Sequence, residues 1–81
     1  MGKAGRALRQ VLEHYNITQN RLAVMMGIDR SNISRWVSGE RDPLAEAVPD
    51  IRAGLAKLNP DAADEFVKMY LYGAGKDDDR G

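Results

Sequence analysis

Arg30 and Arg35 lie in a short stretch with Ser31, Asn32 and Ser34, a run of side chains suited to donating hydrogen bonds to fixed acceptors. The planar fork of arginine matches the O6 and N7 acceptors of guanine, and serine or asparagine can pair with base edges. Ile33, Trp36 and Val37 are interleaved with them at i, i+3 and i+4, the spacing of one apolar helix face. The stretch is therefore expected to be a helix with one face in a core and the other presented as a row of donors. A helix of about three turns fits a major groove about 12 Å wide, with its N-terminal residues deepest. That geometry puts Arg30, Ser31 and Asn32 first in line for base edges, with Arg35 one turn further along the same face.

Such a helix needs a partner to hold it, and the residues before it supply one. Thr18 can cap a first helix by offering its hydroxyl to unpaired backbone N–H groups, and Leu22 and Met26 then fall four apart on one face. Ala23, small and between them, lets a second helix cross closely. Gly27 stands where the first helix must end in a left-handed turn, Ile28 is free to point back into the core, and Asp29 is a suitable N-cap for the second helix. Gly39 closes it. The unit from Thr18 to Gly39 is thus two short helices joined by a glycine turn.

Taken together, Gln19, Leu22, Ala23, Met26, Gly27, Ile28, Ile33 and Trp36 resemble the helix-turn-helix of the Cro and phage-repressor class, also called the xenobiotic-response-element family. The resemblance covers about residues 4 to 58. It implies an all-α, five-helix, lambda-repressor-like DNA-binding domain with the helix-turn-helix at helices two and three. By the same resemblance, the principal base-reading positions fall on Arg30, Ser31 and Arg35. Gln19, at the start of helix two, can meet one phosphate with both its backbone N–H and its amide, and the family uses that position so. Ser38 and Arg41 match places from which the family touches backbone phosphates, and Arg9 and Arg21 would extend that contact. Asp29 departs from the commonest pattern, which has a neutral capping residue there.

The rest of the chain supplies the frame. Ala4, Leu8, Val11, Leu12 and Tyr15 recur at spacings of three and four and predict a first helix from Ala4 to Tyr15, ended by Asn16. After a loop between Gly39 and Val48, Pro49 suits the first turn of a fourth helix with Ile51, Leu55 and Leu58 on its apolar face. Gly54 weakens that helix slightly. Asn59 before Pro60 is a cap and restart, and Asp61, Asp64 and Glu65 suit the positive end of the fifth helix. That helix is expected to run to about Leu71, with Ala63, Phe66, Val67 and Tyr70 buried and Met69 and Tyr72 partly outside. Residues 1–72 form one domain on this reading, and 73–81, GAGKDDDRG, a disordered acidic tail.

Composition narrows the function. The 81 residues hold no cysteine, which excludes a disulfide framework and thiolate zinc sites and suits a reducing cytoplasm. No apolar run reaches the length of a membrane span or signal peptide, so a soluble, cytoplasmic protein without membrane contact is expected. His14 is the only histidine, and no nucleophile, acid–base pair or metal cluster can be assembled around it, so neither enzymatic activity nor a cofactor is expected. GAGK lacks the flanking residues of a phosphate loop. Net charge is zero, yet unevenly spread. Residues 1–41 carry seven basic side chains against three acidic, an excess of +4, and residues 42–81 five against nine, an excess of −4. The basic half contains the donor helix, and the acidic half is expected to face away from a duplex.

These readings favour sequence-specific double-stranded DNA binding by a small transcriptional regulator, such as a repressor, with the helix of about residues 30–38 in the major groove. One such helix reads few base pairs, so two copies on half-sites about one turn apart are expected, joined through helix five by Met69, Leu71 and Tyr72. The alternative keeps the fold and drops the DNA: an antitoxin-like or adaptor protein-interaction module, docking through Trp36, the loop or helix five. Zero net charge and Asp29 favour the second reading, and the arginines at 30 and 35 the first.

Overall fold

The computed structural model describes residues 3–72, which form five helices and, among the described residues, no strand. They are α1 (Lys3–His14), α2 (Gln19–Met26), α3 (Arg30–Ser38), α4 (Ala47–Leu58) and α5 (Pro60–Tyr72). The acidic tail expected over 73–81 lies outside the described residues. Each helix packs chiefly against two others, in the cyclic order α1, α3, α2, α4, α5 and back to α1.

All five helices contribute to one core. Leu8 and Val11 of α1, Leu22 of α2, Ile33 of α3, Ile51 and Leu55 of α4 and Phe66 of α5 are fully buried. Each such side chain stabilises the fold by about 1.5–3 kcal/mol relative to exposure. No polar or charged side chain is buried among the described residues, so uniqueness of packing rests on shape. Two glycines show where shape matters most. A Cβ at Gly5 would overlap the backbone carbonyl oxygen of Trp36, so α1 lies directly on α3 at that point. At Gly54 a Cβ would sit 2.8 Å from Met26 Cγ and 3.1 Å from Leu22 Cδ1. The residue that weakens α4 as a helix is therefore what lets α2 cross it closely.

Helix ends obey local chemistry. Asn16 ends α1 with φ 55°, a left-handed conformation that asparagine tolerates better than most residues, and α1 runs Lys3–His14 instead of Ala4–Tyr15. Tyr15, just beyond it, donates its hydroxyl to Glu65 Oε1 of α5 at 3.1 Å. Partial desolvation of that phenol, then the bond and charge of Glu65, then Asp61 and Asp64, raise its pKa above the usual tyrosine range. Asn59 Oδ1 accepts from the Asp61 N–H at 3.0 Å and starts α5 as expected.

The start of α4 and the buried face of α5 also differ from the sequence reading. α4 begins at Ala47, two residues before Pro49, because a turn in which the Ala47 N–H bonds to the Leu44 carbonyl at 2.8 Å winds straight into it. Pro49 remains within the first turn, where a missing N–H breaks no intrahelical bond. In α5 the fully buried residues are Ala62, Ala63 and Phe66, with Val67 and Tyr70 half-buried. Two adjacent alanines face inward because α5 packs against both α1 and α4, so its buried face is wider than a single stripe.

Candidate nucleic-acid interface

α2 and α3 meet through the turn that the sequence predicts. Thr18 Oγ1 accepts from the Arg21 N–H at 3.1 Å to begin α2. Gly27 ends it with φ 70° and ψ 32°, and the Ile28 N–H reaches back to the Ala23 carbonyl at 3.1 Å, a glycine-centred closure that satisfies carbonyls at the helix end. Ile28 packs half-buried against the core. Asp29 Oδ1 then accepts from the Ser31 N–H at 2.9 Å and starts α3. That backbone bond first, then the Ser31 side chain, with Arg30 and Arg35 adding, holds the Asp29 carboxyl below the usual carboxylate range. Asp29 is exposed, with one carboxylate oxygen bonded to the start of α3.

α3 has two faces. Ile33 and Trp36 are buried, while Arg30, Ser31, Ser34 and Arg35 are exposed. Asn32 stands between them: it is half-buried, and its amide donates to the Asp29 carbonyl at 3.4 Å. Three of the four residues expected at base edges therefore share an open face, and the fourth is partly committed within the turn. At the far end Gly39 has φ 83°. The Ser38 hydroxyl donates to the Arg35 carbonyl at 3.1 Å and accepts from the Glu40 N–H at 3.3 Å, so it finishes the helix as well as facing solvent.

Three of the five residues expected at phosphates, Arg9, Gln19 and Arg41, line two depressions flanking α3, whereas Arg21 and Ser38 lie outside both. Arg9, Thr18, Gln19 and Val37 line the first, together with Glu13. It joins the last turns of α1 and α3 to the N-terminus of α2, where unpaired N–H groups favour an anion. Within it Arg9 Nε lies 3.5 Å from Glu13 Oε2. Asn32, Trp36 and Arg41 line the second, with Asp42, Leu44, Glu46, Ala47 and Asp50. The Arg41 N–H bonds to the Arg35 carbonyl at 3.2 Å, fixing the start of this loop on α3. Arg21 is exposed on the first turn of α2.

The second depression corrects one expectation. The acidic half of the chain does not wholly face away from α3, since Asp42, Glu46 and Asp50 line a groove shared with Asn32 and Arg41. Sequence reading assigned charge by segment, whereas the loop after α3 folds back along it. The Arg9–Glu13 pair was also missed, although its i, i+4 spacing is a sequence-level signal. No group of three or more potential metal-ligating side chains occurs among the described residues, and no helix there is long and apolar enough to cross a membrane.

A family model described as helix-turn-helix matches residues 8–55, more than half of the chain, and spans α2, α3 and both depressions. No curated protein and no solved structure matches the chain.

Proposed function

The chain belongs to the helix-turn-helix family, whose domains bind DNA and regulate transcription without enzymatic chemistry, and on that premise we propose that it is a small, sequence-specific regulator of the phage-repressor kind. It reads double-stranded DNA in the cytoplasm with α3 in the major groove. The observation that carries this reading is the two-faced character of α3, with Ile33 and Trp36 anchored in the core and Arg30, Ser31 and Arg35 open on the other side. Arg30 and Arg35 specify G·C pairs, each contributing about 1–3 kcal/mol of discrimination. Ser31 and Asn32 supply further contacts in the same groove. Gln19, Ser38 and Arg41, with Arg9 and Arg21 beside them, hold phosphates and set register without reading sequence.

Two copies are needed for useful specificity. The end of α5 supports a homodimer contact, since Leu71 and Tyr72 are exposed by 57% and 83% and Met69 is half-buried next to them.

The test is an NMR titration of the labelled domain with mixed-sequence duplex at low and then moderate salt. Salt-sensitive shifts at Gln19, Arg30 to Arg35 and Ser38 to Arg41 are the expected result. A preferred duplex is then selected, on which Arg30→Ala and Arg35→Ala relax the choice at one base pair each. Silence at these residues would reject the DNA reading in favour of a protein-interaction module on the same fold.

A further inference from the structure

We infer that Glu13 limits the affinity of the domain for duplex DNA by holding Arg9 within the cleft at the N-terminus of α2. The inference rests on the proposed DNA binding and deepens it.

Arg9 and Glu13 are one turn apart on α1, with Arg9 Nε 3.5 Å from Glu13 Oε2. Both line the cleft that also holds Thr18 and Gln19, and Glu13 is the only carboxylate among the described residues of that lining. The cleft is otherwise suited to a phosphate, since it contains the start of α2 and the Gln19 amide. A phosphate arriving there meets an arginine whose Nε lies 3.5 Å from a neighbouring carboxylate, and a negative charge well inside the Debye length of about 10 Å at 0.1 M salt. For Arg9 to turn to the phosphate, Glu13 must release it. For Glu13 to stay, its charge must be tolerated beside the phosphate. Either event reduces the net gain from the contact.

Exposure fits such a role. The two side chains are 55% and 69% exposed, so the pair contributes little to folding and can be exchanged for a phosphate contact without disturbing the core. Arg9 is the residue that touches the phosphate, and Glu13 acts through it as a positioning residue. The consequence is a domain tuned to bind weakly as one copy, so that occupancy depends on two copies acting together.

The experiment is a double-mutant cycle. Binding of the full chain to a fixed duplex is measured by fluorescence anisotropy from roughly 50 to 200 mM salt, a range over which phosphate contacts strongly change affinity. The proteins are wild type, Glu13→Gln, Arg9→Gln and the double variant, with thermal melts to confirm folding. Glu13→Gln is expected to tighten binding by about three- to tenfold at the lower salt and to steepen the log–log salt slope by about one, the mark of one more engaged phosphate. In the Arg9→Gln background the same substitution is expected to change affinity by less than about twofold. Equal affinities and slopes for wild type and Glu13→Gln would overturn the inference while leaving the DNA reading intact. So would a gain that persists undiminished without Arg9, because Glu13 would then act by charge alone. No binding by any of the four proteins would overturn the DNA reading and this inference with it.

Discussion

On one side of α3, the cleft of Arg9 and Gln19 carries a single carboxylate, already engaged by Arg9; on the other, the groove of Asn32 and Arg41 carries three, from Asp42, Glu46 and Asp50. If α3 lies in a major groove as proposed, it has a phosphate backbone on each side, and the two flanks then hold DNA unequally. The α2 side offers a helix N-terminus and an amide, and is the natural anchor. The loop side offers Arg41 among acids, and an exposed Leu44 at its rim. On the proposed reading, a zero net charge conceals one flank with a helix N-terminus and another richer in carboxylates.

The anchoring flank is most severely disrupted at Gly5. If the α1 wall of its cleft is fixed by direct contact of α1 with the Trp36 carbonyl, then Gly5→Ala must force the helices apart. It is expected to destabilise the fold by about 2–3 kcal/mol and lower the melting temperature by roughly 10 °C or more. Gly54→Ala meets the Met26 and Leu22 side chains instead of backbone and gains about 1 kcal/mol of helix propensity, which offsets part of the steric cost, so it is expected to destabilise clearly less than Gly5→Ala. Thermal denaturation of both variants checks the pair, and equal losses would show that α1 is not fixed on α3 as described.

Binding measurements separate the two flanks directly. Gln19→Ala, on the anchoring flank, is expected to weaken all duplexes by about three- to tenfold irrespective of sequence. Glu46→Gln with Asp50→Asn, on the other flank, is expected to tighten them by about two- to fivefold, most strongly at low salt. If both variants weaken binding, the acidic groove is a contact surface for DNA and the asymmetry is lost.

The smallest effect belongs to Asp29, at the entrance to α3 between the two flanks. Its pKa is lowered in the folded state by the Ser31 N–H, the Ser31 side chain and the nearby arginines. The stabilisation is therefore fully present above the ordinary aspartate pKa of about 3.9 and lost as pH falls through the folded value. Asp29→Asn, which can still cap, is expected to leave stability at neutral pH nearly unchanged and to flatten its decline in acid. Melting temperatures from neutral to acid pH test this, and a decline as steep as wild type would assign the acid sensitivity to other carboxylates.

Features that depend on neighbours in sequence were legible in the chain. Thr18, Asp29 and Asn59 each cap a helix through a bond spanning two or three residues, and Gly27 and Gly39 take the left-handed conformation that ends a helix. The apolar spacing of Ile33 and Trp36 fixes which face of α3 is left for Arg30 and Arg35. Less legible were contacts made between distant residues. Gly5 looks like any helical glycine until Trp36 is laid on it, Gly54 looks like a defect until α2 crosses there, and Tyr15 gives no sign of its bond to Glu65.

The order of residues thus dictates the five helices, their caps and the two-faced character of α3, since propensity, capping and periodicity act within one or two turns. The surroundings of that helix come from packing alone. Packing brings Arg9 and Glu13 to the start of α2, and it folds Asp42, Glu46 and Asp50 back along α3. Electrostatic interactions act through space over about 10 Å, and which charges fall within that distance is set by how the helices close on one another, not by their order in the chain.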